Sequence, residues 1–318
     1  MKTGEPYSPP FLHRWSHSAT ILPNRLRPIH AAYDRSETLP TDDGDFFTID
    51  WVDRNPSKVA VLLHGLEGNS YSTYILGMAR AFAKRGWSVA AITHRSCDGI
   101  VNKVVGSYHS GFTDDLRTLL ARCTSFKEVF VLGFSLGGNM ALKHAGEVTL
   151  PNNLVGIGAV SVPLHLASAA HRLAHWSNAV YLSRFLRQLK KKAVQKAELF
   201  PTAHLNVSAI RSAKNFVQFD DAYTAPAHGF MDAMDYYERS SAVNFLHSIH
   251  VPTLIINAKN DSFLSSECYP YERVASNPAI TMETPAYGGH VGFASSHRMQ
   301  DEFWHERRVM EFIQTFDT

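Results

Sequence analysis

The stretch VLGFSLGGNM, residues 131–140, sets Ser135 two positions after Gly133 and two before Gly137. A serine in this frame belongs at the apex of a strand, a sharp turn and a helix, where its hydroxyl is presented as a nucleophile. The glycines have a mechanical reason, because a residue forced to positive φ in a tight turn crowds any side chain beside it. A free serine hydroxyl is a poor nucleophile, so it needs a base, and the base needs an acid to orient it. Further along the chain, LIINAKNDSFL offers Asp261 and PAYGGHVGF offers His290, each in the loop after an apolar strand. Open parallel sheets build their sites at such carboxyl ends. The chemistry implied is acyl transfer, which also demands donors for a developing oxyanion. Main-chain N–H groups serve at no cost in reorientation; the expected pair is Leu136, after the nucleophile, and Leu66 in LLHGLEG.

Those loops need a scaffold, and the hydrophobic patterning supplies one. KVAVLLHG, EVFVLGF, LVGIGAVSVP and VPTLIINA read as buried strands, WSVAAIT as a further strand, AITMETP as a last short one, and DFFTIDWV as an early antiparallel edge strand. SYSTYILGMARAFAKRG reads as a helix closed by Gly86, TDDLRTLLARC as one opened by Thr113, and GGNMALKHAGE as the helix after the elbow. Continuous apolar strands alternating with helices mean an α/β fold with a mostly parallel, doubly wound sheet. The core is expected over residues 36–163 and 249–318, with a helical cap inserted at 164–248 and an arm at 1–35 that wraps or frays.

Composition narrows the functions. At 318 residues, 45% hydrophobic and 19% charged, the chain can bury a substantial core. A net charge of +2 gives no electrostatic footprint for nucleic acid. The 17 histidines include no pair at a metal-ligand spacing backed by cysteines, so neither zinc nor any other metal is expected. Cys97, Cys123 and Cys268 are too scattered for a disulfide framework, which suits a reducing compartment. The first residues lack the apolar run of a signal peptide or membrane anchor, and the expectation is a soluble, cytoplasmic protein.

Other residues invite a role and receive a plainer one. His64 is read as support for the loop carrying Leu66, and His109 and Asp114, spaced as in some lipid acyltransferases, as structural. Asp220 and Asp221 are read as ties between cap and core. Six Lys or Arg lie between Arg184 and Lys196, among them Lys190, Lys191 and Lys192. They suggest a solvated helix face, or a weak peripheral contact with an anionic membrane. Trp176, Tyr181, Phe185 and Phe200 are possible walls of an apolar pocket, though a helix core is the plainer home for most of them.

Taken together, HGLEGNS, HRSC, YHSGFTDDL, GFSLGGN, HGFMDAMDYY, PTLIINAKND and GGHVGF resemble the YheT-like branch of the alpha/beta-hydrolase superfamily, from about residue 37 onward. Its eukaryotic relatives are membrane-anchored lipid hydrolases and ester-forming acyltransferases. The resemblance implies an eight-stranded sheet with a helical cap, no cofactor, and carboxylic-ester substrates, small-molecule or lipid-like. Asn260-Asp261-Ser262 stands where relatives commonly show Asp-Asp-Pro, so the acid survives in an altered turn. The leading expectation is a serine carboxylesterase with Ser135, His290 and Asp261 as its triad. An acyltransferase, a lipase-like hydrolase and a binding module on an inactive scaffold are its rivals.

Overall fold

A computed structural model describes residues 6–30, 33–296 and 299–316. Of the expected arm, residues 1–5 and 31–32 therefore lie outside the described residues. Among the described residues eight strands form one sheet: β1 Arg35–Pro40, β2 Phe46–Val52, β3 Lys58–Leu63, β4 Ser88–Thr93, β5 Glu128–Phe134, β6 Leu154–Val160, β7 Thr253–Ile256 and β8 Ile280–Glu283. Their order is β1-β2-β4-β3-β5-β6-β7-β8, with the β1–β2 and β2–β4 pairings antiparallel and the others parallel. The strand expected at the edge, β2, lies second, because RSETLP pairs outside it. Only Leu39 of β1 is buried, so that strand carries almost no apolar signal in sequence.

Among the described residues, twelve α-helices surround the sheet and build the cap: α1 Ser16–Leu26, α2 Thr73–Lys84, α3 Asp114–Arg122, α4 Leu136–Glu147, α5 Leu166–Leu173, α6 Ala179–Leu199, α7 Val207–Ser212, α8 Phe216–Phe219, α9 Ala225–His228, α10 Ala233–Ser240, α11 Tyr271–Ala275 and α12 Trp304–Gln314. A π-helical turn, Asp220–Thr224, joins α8 to α9. Successive residues of a strand point to opposite faces, and β3 shows the result. Val59, Val61 and Leu63 pack with Leu116, Leu119 and Leu142 of α3 and α4, whereas Ala60 and Leu62 pack with Ile75, Phe82 and Phe312 of α2 and α12. Burial of each such large side chain contributes about 1.5–3 kcal/mol, which fixes the register of the central strands. The cap has an apolar cluster of its own, with Leu186, Ile210, Phe219 and Tyr236 at its centre.

Two local expectations change. Thr113 precedes α3 but makes no side-chain cap; its hydroxyl donates to Glu147 instead. The basic face of α6 is only partly solvated. Lys196 is buried and gives its ammonium to the Asn102 and Val104 carbonyls, while Lys192 pairs with Glu67 at 2.8 Å. The arm is fastened as well: Arg27 meets Glu306 of α12 through two parallel hydrogen bonds, with side chains 1% and 0% exposed.

Candidate active site

The elbow is built by contact. Ser135 sits at φ 52° and ψ −117°, between the end of β5 and the start of α4. A Cβ on Gly133 would stand 2.2 Å from the Gly137 carbonyl oxygen, and one on Gly137 would stand 2.6 Å from the carbonyls of Leu63 and His64. The strand–turn–helix therefore closes only with glycine at both positions.

The loop carrying the histidine is built differently. Gly288 and Gly289 take φ of 146° and 57°, and Val291 and Phe293 are also positive, at 61° and 49°. A β-branched residue at positive φ is costly and persists only where its surroundings over-determine it. Here three consecutive amides donate to three side chains from distant parts of the chain. Gly289 donates to Asn260 Oδ1, His290 to Thr20 Oγ1 and Val291 to Ser161 Oγ, each at 2.9 Å. Thr20 belongs to α1, and a Cβ on Gly292 would meet the Ala19 carbonyl at 2.0 Å. The N-terminal arm is thus a direct support of the site, a role that no local pattern in the sequence announces.

These two constructions bring the expected residues together. Ser135 Oγ lies 3.0 Å from His290 Nε2, and His290 Nδ1 lies 2.8 Å from Asp261 Oδ2. The other carboxylate oxygen of Asp261 accepts the Phe263 amide at 2.9 Å, and its side chain is fully buried. The Phe263 ring stacks on the imidazole with centroids 4.2 Å apart, fixing its plane.

The Leu66 loop packs against the elbow; a Cβ on Gly65 would be 3.1 Å from Ser135 Cβ. The amides on either side of Leu66 are taken, Gly65 by the Tyr74 hydroxyl at 3.0 Å and Glu67 by the Tyr108 hydroxyl at 2.8 Å. The amide of Leu66 has no protein acceptor among the described residues, and Leu136 opens α4, where an amide lacks an intrahelical acceptor. Glu67 is held at φ 55° by Lys192 of the cap and by the Tyr108 hydroxyl, which donates to it at 2.9 Å. His64 places Nδ1 2.7 Å from the Gly65 carbonyl and accepts the His94 amide at Nε2. Burial drives its pKa well below the usual imidazole range, so it stays a neutral brace for this loop.

His109 and Asp114 have separate partners. His109 is buried and accepts the Gly111 amide, whereas Asp114 lies exposed beside Arg117. Asp221 accepts the Ala233 amide within the cap; Asp220 is buried between Thr224 and Tyr237. Among the described residues no group of three or more His, Cys, Asp or Glu is placed to hold a metal ion, and no helix is long and apolar enough to cross a membrane.

Ser135 faces two spaces. One is a cleft of about 520 Å³ bounded by Thr20 and Arg25 of α1, Tyr181 and Arg184 of α6, and His290. The other is a cavity of about 130 Å³ beneath the cap, walled by Leu66, Leu136, Leu166, Phe216 and Phe219. Of the aromatic residues singled out in the cap sequence, Tyr181 and Phe185 line the cleft. Trp176 is 81% exposed, and Phe200 lies under the Lys196 ammonium.

An elbow serine, a strand-end histidine and a strand-end acid on this sheet agree with the family to which the sequence aligns: the alpha/beta hydrolase fold matches over residues 59–295. The chain belongs to the alpha/beta-hydrolase family. Within that family it joins the YheT-like branch, being 33% identical over 312 residues to the Escherichia coli (strain K12) protein named "Putative esterase YheT", with 94% of this chain and 90% of that one covered. It is 26% identical to the mouse (Mus musculus) phospholipase ABHD3, covering 88% of this alpha/beta-hydrolase and 71% of the relative. It is 28% identical to a medium-chain fatty acid ethyl ester synthase/esterase of Saccharomyces cerevisiae (strain ATCC 204508 / S288c), covering 81% and 62%. Among solved structures, the Pyrococcus furiosus esterase Pf2001 superposes with a TM-score of 0.57 at 18% identity, over 89% of this chain and 92% of that one, a likeness of fold.

Proposed function

We propose that this alpha/beta-hydrolase is a serine esterase that cleaves carboxylic esters of small or medium acyl groups. The observation that carries the reading is the unbroken relay of 3.0 Å and 2.8 Å from Ser135 Oγ through His290 to the buried Asp261 carboxylate. In the first half-reaction Ser135 Oγ bonds to the ester carbonyl carbon while His290 Nε2 takes its proton. Asp261 keeps the imidazole in the tautomer that leaves Nε2 free and stabilises the imidazolium as it forms. The amides of Leu66 and Leu136 receive the oxyanion, a contribution of roughly 10²–10³ in rate for each donor. As the tetrahedral adduct collapses, His290 returns the proton to the departing alkoxide, and the alcohol leaves. Water then repeats the sequence on the acyl-enzyme, releasing the acid and restoring Ser135.

The decisive experiment pairs a fluorophosphonate probe with the Ser135→Ala variant. Wild-type protein is expected to label stoichiometrically and to hydrolyse p-nitrophenyl esters. The variant, with unchanged circular dichroism, should do neither. Turnover near the wild-type rate in a folded Ser135→Ala protein overturns the assignment.

A second reading, transfer of the acyl group to an alcohol, gains support from the yeast relative named as both synthase and esterase and from the open cleft beside His290. Both routes share the acyl-enzyme and differ in what attacks it. No dedicated alcohol site is legible in the cleft, so hydrolysis is expected to dominate. With ethanol added at modest concentration, product chromatography should find more free acid than ethyl ester; the reverse ratio would make the protein an acyltransferase.

A weak contact of the cap with anionic membranes would rest on Arg184, Arg187 and Lys191, since Lys190, Lys192 and Lys196 are engaged within the protein. Salt-sensitive binding to anionic vesicles that is lost on neutralising these three residues would support it, and indifference to vesicles at low salt would end it.

A further inference from the structure

The cavity that runs from Ser135 beneath the cap is apolar along most of its wall, yet Asp220, Tyr236, Tyr237 and Thr224 also line it. Asp220 is 7% exposed and takes part in no ion pair among the described residues. Its two oxygens accept one hydroxyl each, Thr224 Oγ1 and Tyr237 Oη, both at 2.6 Å. A carboxylate offers about four lone-pair directions, so half of its accepting capacity is unspent. Burying such a group with no cation opposite it is expensive, and burial pushes its pKa up to about 7. The residue also lies in the π-helical turn Asp220–Thr224, a local geometry frequent at functional sites.

Beside it, Tyr236 Oη accepts the Ser110 amide at 3.0 Å and can donate its own proton into the cavity. The wall therefore presents an acceptor and a donor together. That combination suits a hydroxyl, which gives one hydrogen bond and takes another; an ammonium would find no use for the tyrosine proton. At about 130 Å³ the space is much smaller than the cleft of about 520 Å³ on the other side of Ser135, so it suits a short occupant.

We propose that this cavity is the acyl subsite and that Asp220 and Tyr236 select a short acyl group bearing a hydroxyl, so that the substrate is a hydroxyacyl ester. The inference rests on the esterase reading of Ser135 and gives that reading a substrate class. Asp220 is a specificity-determining residue in it, with no part in bond breaking.

The test uses pairs of p-nitrophenyl esters in which a hydroxyl replaces a methyl of equal size: lactate against isobutyrate, 3-hydroxybutanoate against 3-methylbutanoate, and 5-hydroxypentanoate against hexanoate. Because both members of a pair are measured on one preparation, the ratio of kcat/KM cancels any loss of folded enzyme. The wild type is expected to favour the hydroxy member of at least one pair by about 10-fold or more. Asp220→Asn should reduce that ratio severalfold, and Tyr236→Phe should do the same, while the alkyl member of the pair keeps most of its rate. A wild type that prefers the alkyl member of every pair, or a ratio that Asp220→Asn leaves unchanged, overturns the proposal. Calorimetric binding of 3-hydroxybutanamide and 3-methylbutanamide to Ser135→Ala reads the same preference without turnover. If no ester is cleaved by wild-type protein, the esterase reading fails. The subsite proposal then stands or falls on whether the hydroxy amide binds more tightly and loses that advantage in the Asp220→Asn background.

Discussion

The elbow around Ser135 and the loop around His290 meet at one hydrogen bond, but they are specified in opposite ways. The elbow is local: Gly133 and Gly137 press on backbone within a few residues and on the end of β3, and any side chain there collides with main chain. The His290 loop is assembled from afar, its amides held by Thr20, Asn260 and Ser161, which lie 270, 29 and 130 positions away from their donors. The proposed nucleophile is written in five consecutive residues, whereas the proposed base depends on the whole fold having closed around it. Damage to the elbow should therefore be steric and confined to a few adjacent positions. Damage to the loop should be graded, according to which distant tie is cut.

The sharpest break on the loop side is Asp261→Asn. The amide would favour the tautomer of His290 that turns a hydrogen toward Ser135, and kcat should fall roughly 10⁴-fold with little change in melting temperature. Steady-state kinetics on an activated ester, with Asp114→Asn as the control, reads this directly; a larger loss in the control would reassign the acid. On the elbow side, Gly133→Ala drives a methyl into the Gly137 carbonyl, displacing the serine. A shift of the order of 1 Å can cost about 10²-fold in rate, and the fluorophosphonate labelling rate should drop in step. Thr20→Val, which removes one acceptor from the loop, costs about 1 kcal/mol and should slow kcat by roughly 5-fold. Thr20→Ser should restore the rate. If Thr20→Val were silent in kcat, the arm would be packing and not a tie.

The smallest effect spans both regions. His94, against the Tyr108 ring on the oxyanion side, has its pKa lowered by burial to about 4, and His305, packed against Phe293 on the other side, to about 3. Unfolded histidine protonates near 6.5 while these do not, so their contribution to stability is complete above that pH and is lost as pH falls toward 4. Burial raises Asp115 to about 6 and Asp220 to about 7, which works the other way over the same interval. His144 and His228, also lowered to about 4, add to the histidine side, and the balance favours acid destabilisation. Melting temperature should decline from pH 7 to pH 4.5, and His94→Phe should flatten the decline. A melting temperature that rises toward acid would contradict the assignment of neutral buried imidazoles.

What could be read from the sequence follows the same division. Ser135 announced itself by the glycines it needs, and Asp261 and His290 by falling after apolar strands in a fixed order. The buried strands were legible for the same reason, an unbroken apolar run between two helical layers. β1 was not, because a strand at a solvated edge with only Leu39 turned inward has no pattern to show. Nor could the residues reveal that Lys192 and Lys196 turn inward, since a lysine reaching a carboxylate or carbonyls through a long stem looks in sequence like any other lysine on a helix. Thr20 was invisible for a stronger reason: its value lies wholly in where α1 comes to rest.

The clasp between Arg27 and Glu306 extends that dependence to the survival of the molecule. A single proteolytic nick between α1 and β1 would let the arm drift off and strand the Glu306 carboxylate in the interior, and breaking such a pair costs about 3–5 kcal/mol. The arm and α12 should accordingly open as one cooperative unit, with amide exchange in the two helices falling into step. A cleaved chain would lose the brace on His290 and part of its folding free energy in the same event.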